Sequence, residues 1–157
     1  MAVIEKSRRP YERKDERIDT ASLPPKAQWA QTKFERYSTT AKPFCTLIKE
    51  LIPEDEWNYR LFVLRTGLEQ SVFYRISRNE AQEPEIETIL AISVGYRFSP
   101  NERNQLIASA GRTYKPTKAH FYYQLVFEKY VINSVEDFNI AFSELMGVEG
   151  LTPLGAE

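Results

Sequence analysis

Apolar side chains recur along most of this chain at helical spacing, with helix start and stop signals between them. In TAKPFCTLIKELI, Phe44, Leu47, Ile48 and Leu51 fall on one helix face. Pro53 then opens PEDEWNYRLFVLRTG, whose acids sit in the first turn, where the helix dipole favours them. Trp57, Leu61 and Leu64 form its stripe with Phe62 beside it, and Gly67 stops it. A short helix follows, with Leu68, Val72, Phe73 and Ile76 inward and Asn79 suited to the left-handed conformation that ends it. Pro84 suits the first turn of EIETILAISVG, which Gly95 closes. Ser99, Pro100 and Glu102 read as a capping box with proline at the first helical position. Two more helices are predicted, from about Thr117 to Tyr130 and from Ser134 to Gly147, the second with Asp137 at its third position. No alternating strand pattern and no repeat of solenoid period interrupts this series, so the fold class is all-α.

Residues 1–40 have another texture and read as a basic, largely extended N-terminal arm. Charges alternate there, SLPP interrupts any helix, and the apolar residues Trp29, Phe34 and Tyr37 stand singly. A helix over part of AQWAQTKFERY that docks on a partner is the alternative. Residues 41–147 form the helical domain, and residues 148–157 read as a frayed tail. The helical domain is expected to stay folded without the arm, and Trp57, Leu61, Phe73, Ile76, Ile89 and Leu90 to meet in its core.

The formal net charge of −1 over 157 residues hides an asymmetry. Residues 1–40 hold nine Lys/Arg against six Asp/Glu; the rest hold twelve against sixteen. A non-specific DNA binder draws most of its affinity from phosphate neutralisation, so an acidic body must concentrate its cations on one face to bind nucleic acid. Cys45 and His120 are the sole cysteine and histidine, which excludes an internal disulfide and leaves no set of zinc ligands. Cys45 reads as a small core residue. No apolar run approaches the roughly 20 residues of a membrane span, and the first residues lack a signal-peptide core. The chain is therefore expected to be cytoplasmic, with no membrane partner. It carries no phosphate-binding glycine loop, no GxGxxG and no HExxH, so no catalytic residue, metal or cofactor is assigned and an enzyme is not expected.

The informative stretch runs from Trp57 to Gly111. EDEWNYRLFVLRT, Gly67 and LEQSVFYRISRN supply the first helix, glycine turn and second helix of a helix-turn-helix. The segment TGLEQSVFYRISRNEAQEPEIETILAISVGYRFSPNERNQLI resembles the lambda-repressor-like, Cro-type helix-turn-helix family. Gly67, Leu68, Phe73, Ile76, Asn79, Pro84, Ile86, Thr88, Ile89, Leu90 and Gly95 occupy the family's pattern positions. The resemblance covers residues from about 42 to 147 and extends to proteins of Firmicutes and their mobile elements, some with a fused metallopeptidase module absent here. The chain departs from the family in having Phe62 and Val63 where a small residue is usual, a longer loop, and Glu80 in place of glycine.

The resemblance implies a five-helix domain whose second motif helix enters the DNA major groove. Glu69, Gln70 and Ser71, with Tyr74 and Arg75 one turn later, are then the base-edge candidates; Gln pairs with adenine and Arg with guanine. Arg60, Arg65 and Arg78 are the phosphate candidates. Arg8, Arg9, Arg13, Lys14 and Arg17 of the arm would follow phosphates or enter the minor groove. The expected function is sequence-specific binding of double-stranded DNA, in transcriptional regulation on a mobile element or phage. The alternative is a protein-binding inhibitor or adaptor, for example of a defence complex, that keeps the fold without operator binding; Glu69 and the acidic body favour it. The aromatic run HFYYQLVFEKYV packs on the Phe138, Phe142 and Leu145 helix, or forms a homodimer interface through the C-terminal helices.

Overall fold

The structure, a computed structural model, describes residues 22–40 and 42–155, with side chains 37–40 left out of the description. Among the described residues there are eight α-helices, one 3₁₀ turn and no strand. The chain divides into two compact units, Met1–Lys42 and Pro43–Glu157.

The first unit contains helix α1 (Pro25–Thr40), where the sequence reading expects a largely extended arm. Pro25 begins the helix instead of breaking it, because the first helical position needs no backbone donor. Gln28 Nε2 donates to the carbonyl of Leu23 at 2.7 Å, tying the first turn to the residues before it. Trp29 and Phe34 are exposed, and the Lys33 ammonium lies 5.7 Å from the centre of the Trp29 ring. The arm cations Arg8, Arg9, Arg13, Lys14 and Arg17 lie outside the described residues.

The second unit begins with α2 (Phe44–Leu51), which buries Phe44, Cys45 and Ile48 and half-buries Leu47 and Leu51. Its first turn is capped from a distance: Gln82 Oε1 accepts from the Cys45 amide at 3.0 Å. After Pro53 the acids form only a 3₁₀ turn, Glu54–Glu56. The chain breaks at Trp57, and Asn58 caps a new start by accepting from the Leu61 amide at 2.9 Å. Helix α3 (Tyr59–Thr66) therefore starts later than the sequence suggests, and its inward face changes. Phe62 is fully buried, Leu64 is 79% exposed and Leu61 lies outside the core cluster. Trp57 does join the core as expected, its ring centre 4.5 Å from that of Phe73 and its Nε1 donating to Ser77 Oγ at 3.0 Å.

Helix α4 (Gln70–Ser77) buries Phe73 and Ile76. Asn79 ends the segment in the left-handed region at φ 61°, and the Lys49 ammonium donates to the Ser77 carbonyl and Asn79 Oδ1 at the helix's negative end. Helix α5 (Ile86–Gly95) is the centre of the unit, with seven buried residues including Ile89 and Leu90. It packs on α3, on α6 (Pro100–Ser109) and on the last helix, Val135–Met146; α6 in turn packs on α2. The capping box of α6 forms as read, with Ser99 and Glu102 bonding each other's backbone amides. Gly95 is not the stop residue of α5: it is helical, and Arg97 takes the left-handed position at φ 57°. Glycine stands at 95 because a Cβ there would lie 2.7 Å from the Arg65 carbonyl oxygen, so α3 and α5 meet backbone to backbone.

Helices α7 (Lys118–Lys129) and α8 (Val135–Met146) pack as a pair, capped by Thr117 and Ser134. Tyr123 and Phe127 meet Phe138 at 5.9 and 5.2 Å between ring centres, so most of the aromatic run is core packing, while Phe121 is exposed. The Arg103 guanidinium lies 3.7 Å from the centre of the Phe127 ring, covering the pair from α6. His120 is buried; its Nδ1 accepts from the Lys115 amide at 2.8 Å, which leaves Nε2 as the protonated nitrogen, 3.6 Å from Glu87 Oε2.

The residues after Gly147 are not frayed as far as they are described. Asn139 Nδ2 donates to the Leu154 carbonyl and Oδ1 accepts from the Leu154 amide, while the Ser143 hydroxyl bonds both backbone groups of Leu151. Leu154 is buried, and Gly155 lies against Thr66 and Gly67. Two polar side chains on α8 thus do for this segment what a neighbouring strand would do, satisfying backbone groups that packing has removed from water.

Candidate nucleic-acid interface

The helix, glycine turn and helix that the sequence reads as the motif are α3, Gly67 and α4. Gly67 is left-handed at φ 75°, and Thr66 locks the turn from inside: its hydroxyl donates to the Phe62 carbonyl at 2.7 Å and accepts from the Leu68 amide at 3.0 Å. Phe73 and Ile76 fix α4 by burial, and Phe62, Trp57 and Phe73 pack edge-on and tilted within 5.6 Å of one another. A helix anchored on one side this way presents its other side at a fixed orientation.

That other side carries Glu69, Gln70, Ser71 and Arg75, all exposed. Glu69 sits at the N-cap position without capping: its side chain accepts from no backbone amide of the helix, only from the Ser71 hydroxyl, 3.4 Å from its Oε1. Gln70 and Arg75 engage in no side-chain hydrogen bond or ion pair among the described residues. Arg75 lines a cavity of about 550 Å³ between α4 and the following loop, together with Glu80, Glu83 and Glu85. Tyr74 is half-buried, its ring centre 5.2 Å from that of Phe73 and 6.2 Å from that of Tyr59. Tyr59 was not singled out by the sequence; no spacing rule links the first turn of α3 to the middle of α4.

The phosphate candidates separate into two kinds. Arg60 is exposed, its guanidinium 5.9 Å from the Tyr59 ring centre, and it makes no ion pair. Arg65 is bound to Glu56 at 3.2 Å and lies 5.0 Å from the Tyr96 ring centre, on the wall shared with α5. Burial pushes the Tyr96 phenol above its usual range, against the opposing pull of the Arg65 charge. Arg78 pairs with Glu80 at 3.3 Å. The structure therefore leaves two of the motif's arginines, Arg60 and Arg75, without an acidic partner within ion-pair distance, and gives such partners to Arg65 and Arg78. Exposed pairs of this kind are weak, but each sets a carboxylate beside the cation and so lowers the positive field available to a phosphate.

Among the described residues no three His, Cys, Asp or Glu side chains converge as metal ligands, and no helix is long and apolar enough to cross a membrane. Cys45 is buried, and its thiol donates to the Ala81 carbonyl at 3.2 Å. Burial pushes this thiol above its usual range, the reverse of what a nucleophile needs. Comparison with protein-family models, with curated proteins and with solved structures finds no match to this chain.

Proposed function

We propose that the protein binds duplex DNA in a sequence-selective way through the exposed face of α4 and acts as a transcriptional regulator in the cytoplasm, on a phage or mobile element. The observation that carries this reading is the pairing of a rigidly anchored α4 with unengaged Gln70 and Arg75 on its outer side. Both residue types recognise a purine through two hydrogen bonds, and neither is spent inside the protein. Arg60 at the start of α3 holds a backbone phosphate, and the N-terminal cations add the charge that the acidic body lacks. The test is selection of bound duplexes from a random library by the full chain, followed by titration over a range of salt. Enrichment of one motif, lost when Gln70 and Arg75 are both replaced by Ala, supports the reading.

One observation favours a second reading, a protein-binding module. Glu56 and Glu80 occupy two of the four motif arginines, and Glu69 stands where the helix would meet the backbone. Failure to bind any duplex at low salt would leave this reading in place of the first.

A further inference from the structure

A groove of about 1330 Å³ runs between the end of α3, the turn after α5, and α8 with the segment that follows it. Its α8 wall alternates acid and apolar. Glu136, Ile140 and Glu144 recur at every fourth position and so form one row along the helix, with Val148 just beyond its end; all four are exposed. Leu64, also exposed, stands on the α3 wall. Exposed apolar residues scattered singly need no explanation, whereas several around one concavity mark a contact surface.

The charge of the groove is one-sided. Glu56, Glu136, Glu144 and Glu149 line it against Arg65 and Arg97. Arg65 is already bound to Glu56 at 3.2 Å, which leaves three carboxylates against Arg97 alone. None of the three has an ion-pair partner among the described residues. Glu144 accepts from the Tyr130 hydroxyl at 3.0 Å, a neutral donor that leaves its charge in place. The last turns of α3, α5 and α8 also line the groove, and the C-terminal end of a helix carries partial negative charge.

We propose that this groove binds a basic amphipathic segment of another protein, with its apolar side chains on Leu64, Ile140 and Val148 and its lysines or arginines on Glu136, Glu144 and Glu149. A segment whose apolar and cationic side chains recur at helical spacing matches the α8 row. Long cationic side chains suit the alternation further, since their stems cover apolar surface while their heads reach the acids beside it. A nucleic acid is repelled by the same carboxylates. A second copy docked by this face brings its own excess of acids against them. The groove shares no lining residue with α4 or with the loop after it, so the proposal stands independently of the DNA-binding reading.

The experiment selects peptides from a random display library on the immobilised full chain, without DNA, and measures the enriched sequences by fluorescence anisotropy. Enriched peptides are expected to combine Lys or Arg with apolar residues. Leu64→Ser with Ile140→Ser, and separately Glu136→Gln with Glu149→Gln, should each weaken their binding about tenfold or more. Glu128→Gln, at an exposed acid of α7 outside the groove, should leave it unchanged. All these positions are exposed, so the variants should keep the wild-type circular dichroism spectrum. Added salt should weaken binding without abolishing it, because the apolar contacts are not screened. Failure to enrich any peptide, whether the groove is covered by a second copy, by the chain's own N-terminal residues or by nothing, overturns the proposal. So do enriched peptides without cationic residues, and binding that either pair of groove substitutions leaves unchanged. Because no DNA is present, these outcomes are independent of whether the chain binds an operator.

Discussion

The hydroxyl of Tyr123 on α7 donates a 2.9 Å hydrogen bond to Glu87 Oε2 on α5, joining the C-terminal helix pair to the central helix. Burial and the adjacent Glu87 carboxylate together push the Tyr123 phenol far above its usual range. A group whose folded-state pKa is raised gives stability that is fully present below its unfolded value, about 10 for tyrosine, and lost as pH climbs through the folded value. Wild-type stability should therefore fall with alkaline pH above about 10, and Tyr123→Phe should fall less. At neutral pH the same variant should cost about 1–2 kcal/mol, since one hydrogen bond to a half-exposed carboxylate is lost. Urea denaturation of both proteins at a series of pH values checks the direction and the size.

Phe73→Ala should destabilise the helical body by about 3–5 kcal/mol, the cost of removing a buried aromatic that packs on both Trp57 and Phe62. Leu64→Ala, on the exposed side of α3, should change stability by less than about 0.5 kcal/mol. Equilibrium unfolding of the pair tests the inward face of α3 directly. An equal loss in both would restore the register in which Leu64 points inward.

Gly95→Ala reverses a general expectation. Alanine in mid-helix normally stabilises relative to glycine. Here the added Cβ would meet the Arg65 backbone at 2.7 Å, so α3 must move away from α5, and a loss of about 1–3 kcal/mol is expected. Gly111→Ala meets nothing within 4 Å and has only its left-handed φ of 69° against it, so about 1 kcal/mol suffices there. Thermal unfolding ranks the two.

The four motif arginines should respond unequally in DNA titrations. Arg75→Ala should cost about 1–3 kcal/mol and relax preference at one base pair, while Arg60→Ala should weaken all sequences alike and lower the salt slope by about 1. Arg65→Ala and Arg78→Ala should cost less than Arg75→Ala, because each must give up its ion pair with Glu56 or Glu80 before it can reach a phosphate. Fluorescence anisotropy against matched and mismatched duplexes distinguishes the four. Equal losses at all four positions would mean that the ion pairs open on binding.

What could be read from the sequence was whatever depends on neighbours along the chain. The capping box at Ser99, the caps at Thr117 and Ser134, and the left-handed residues Gly67, Asn79 and Gly147 are local, and each stands where its signal placed it. The α3 register is not legible locally, because Asn58, a strong capping residue, reads as the interior of a helix begun at Pro53. Gly95 reads as a stop for the same reason: a distant carbonyl, that of Arg65, decides the residue, and no local rule sees it. The candidate site was legible as a list of exposed residues on one helix. Its electrostatics were not, since Glu56 sits in the 3₁₀ turn and the Arg78–Glu80 pair beyond the end of α4, where helical spacing says nothing about which side chains meet.

The clamp of Asn139 and Ser143 bears on the order in which the body assembles. The turn at Gly67 forms from residues adjacent in sequence, but its contact with Gly155 closes everything from α4 to the last segment into one loop, and long closures are entropically late. The last segment should dock after α8 is in place and should be the first to open in the native state. Amide exchange at Leu151 and Leu154 should then run faster than at Phe73 or Ile89. The turn at the foot of the α4 face would thus complete its surroundings only when the far end of the domain arrives, so fraying begins beside the motif although the motif itself is the part built earliest.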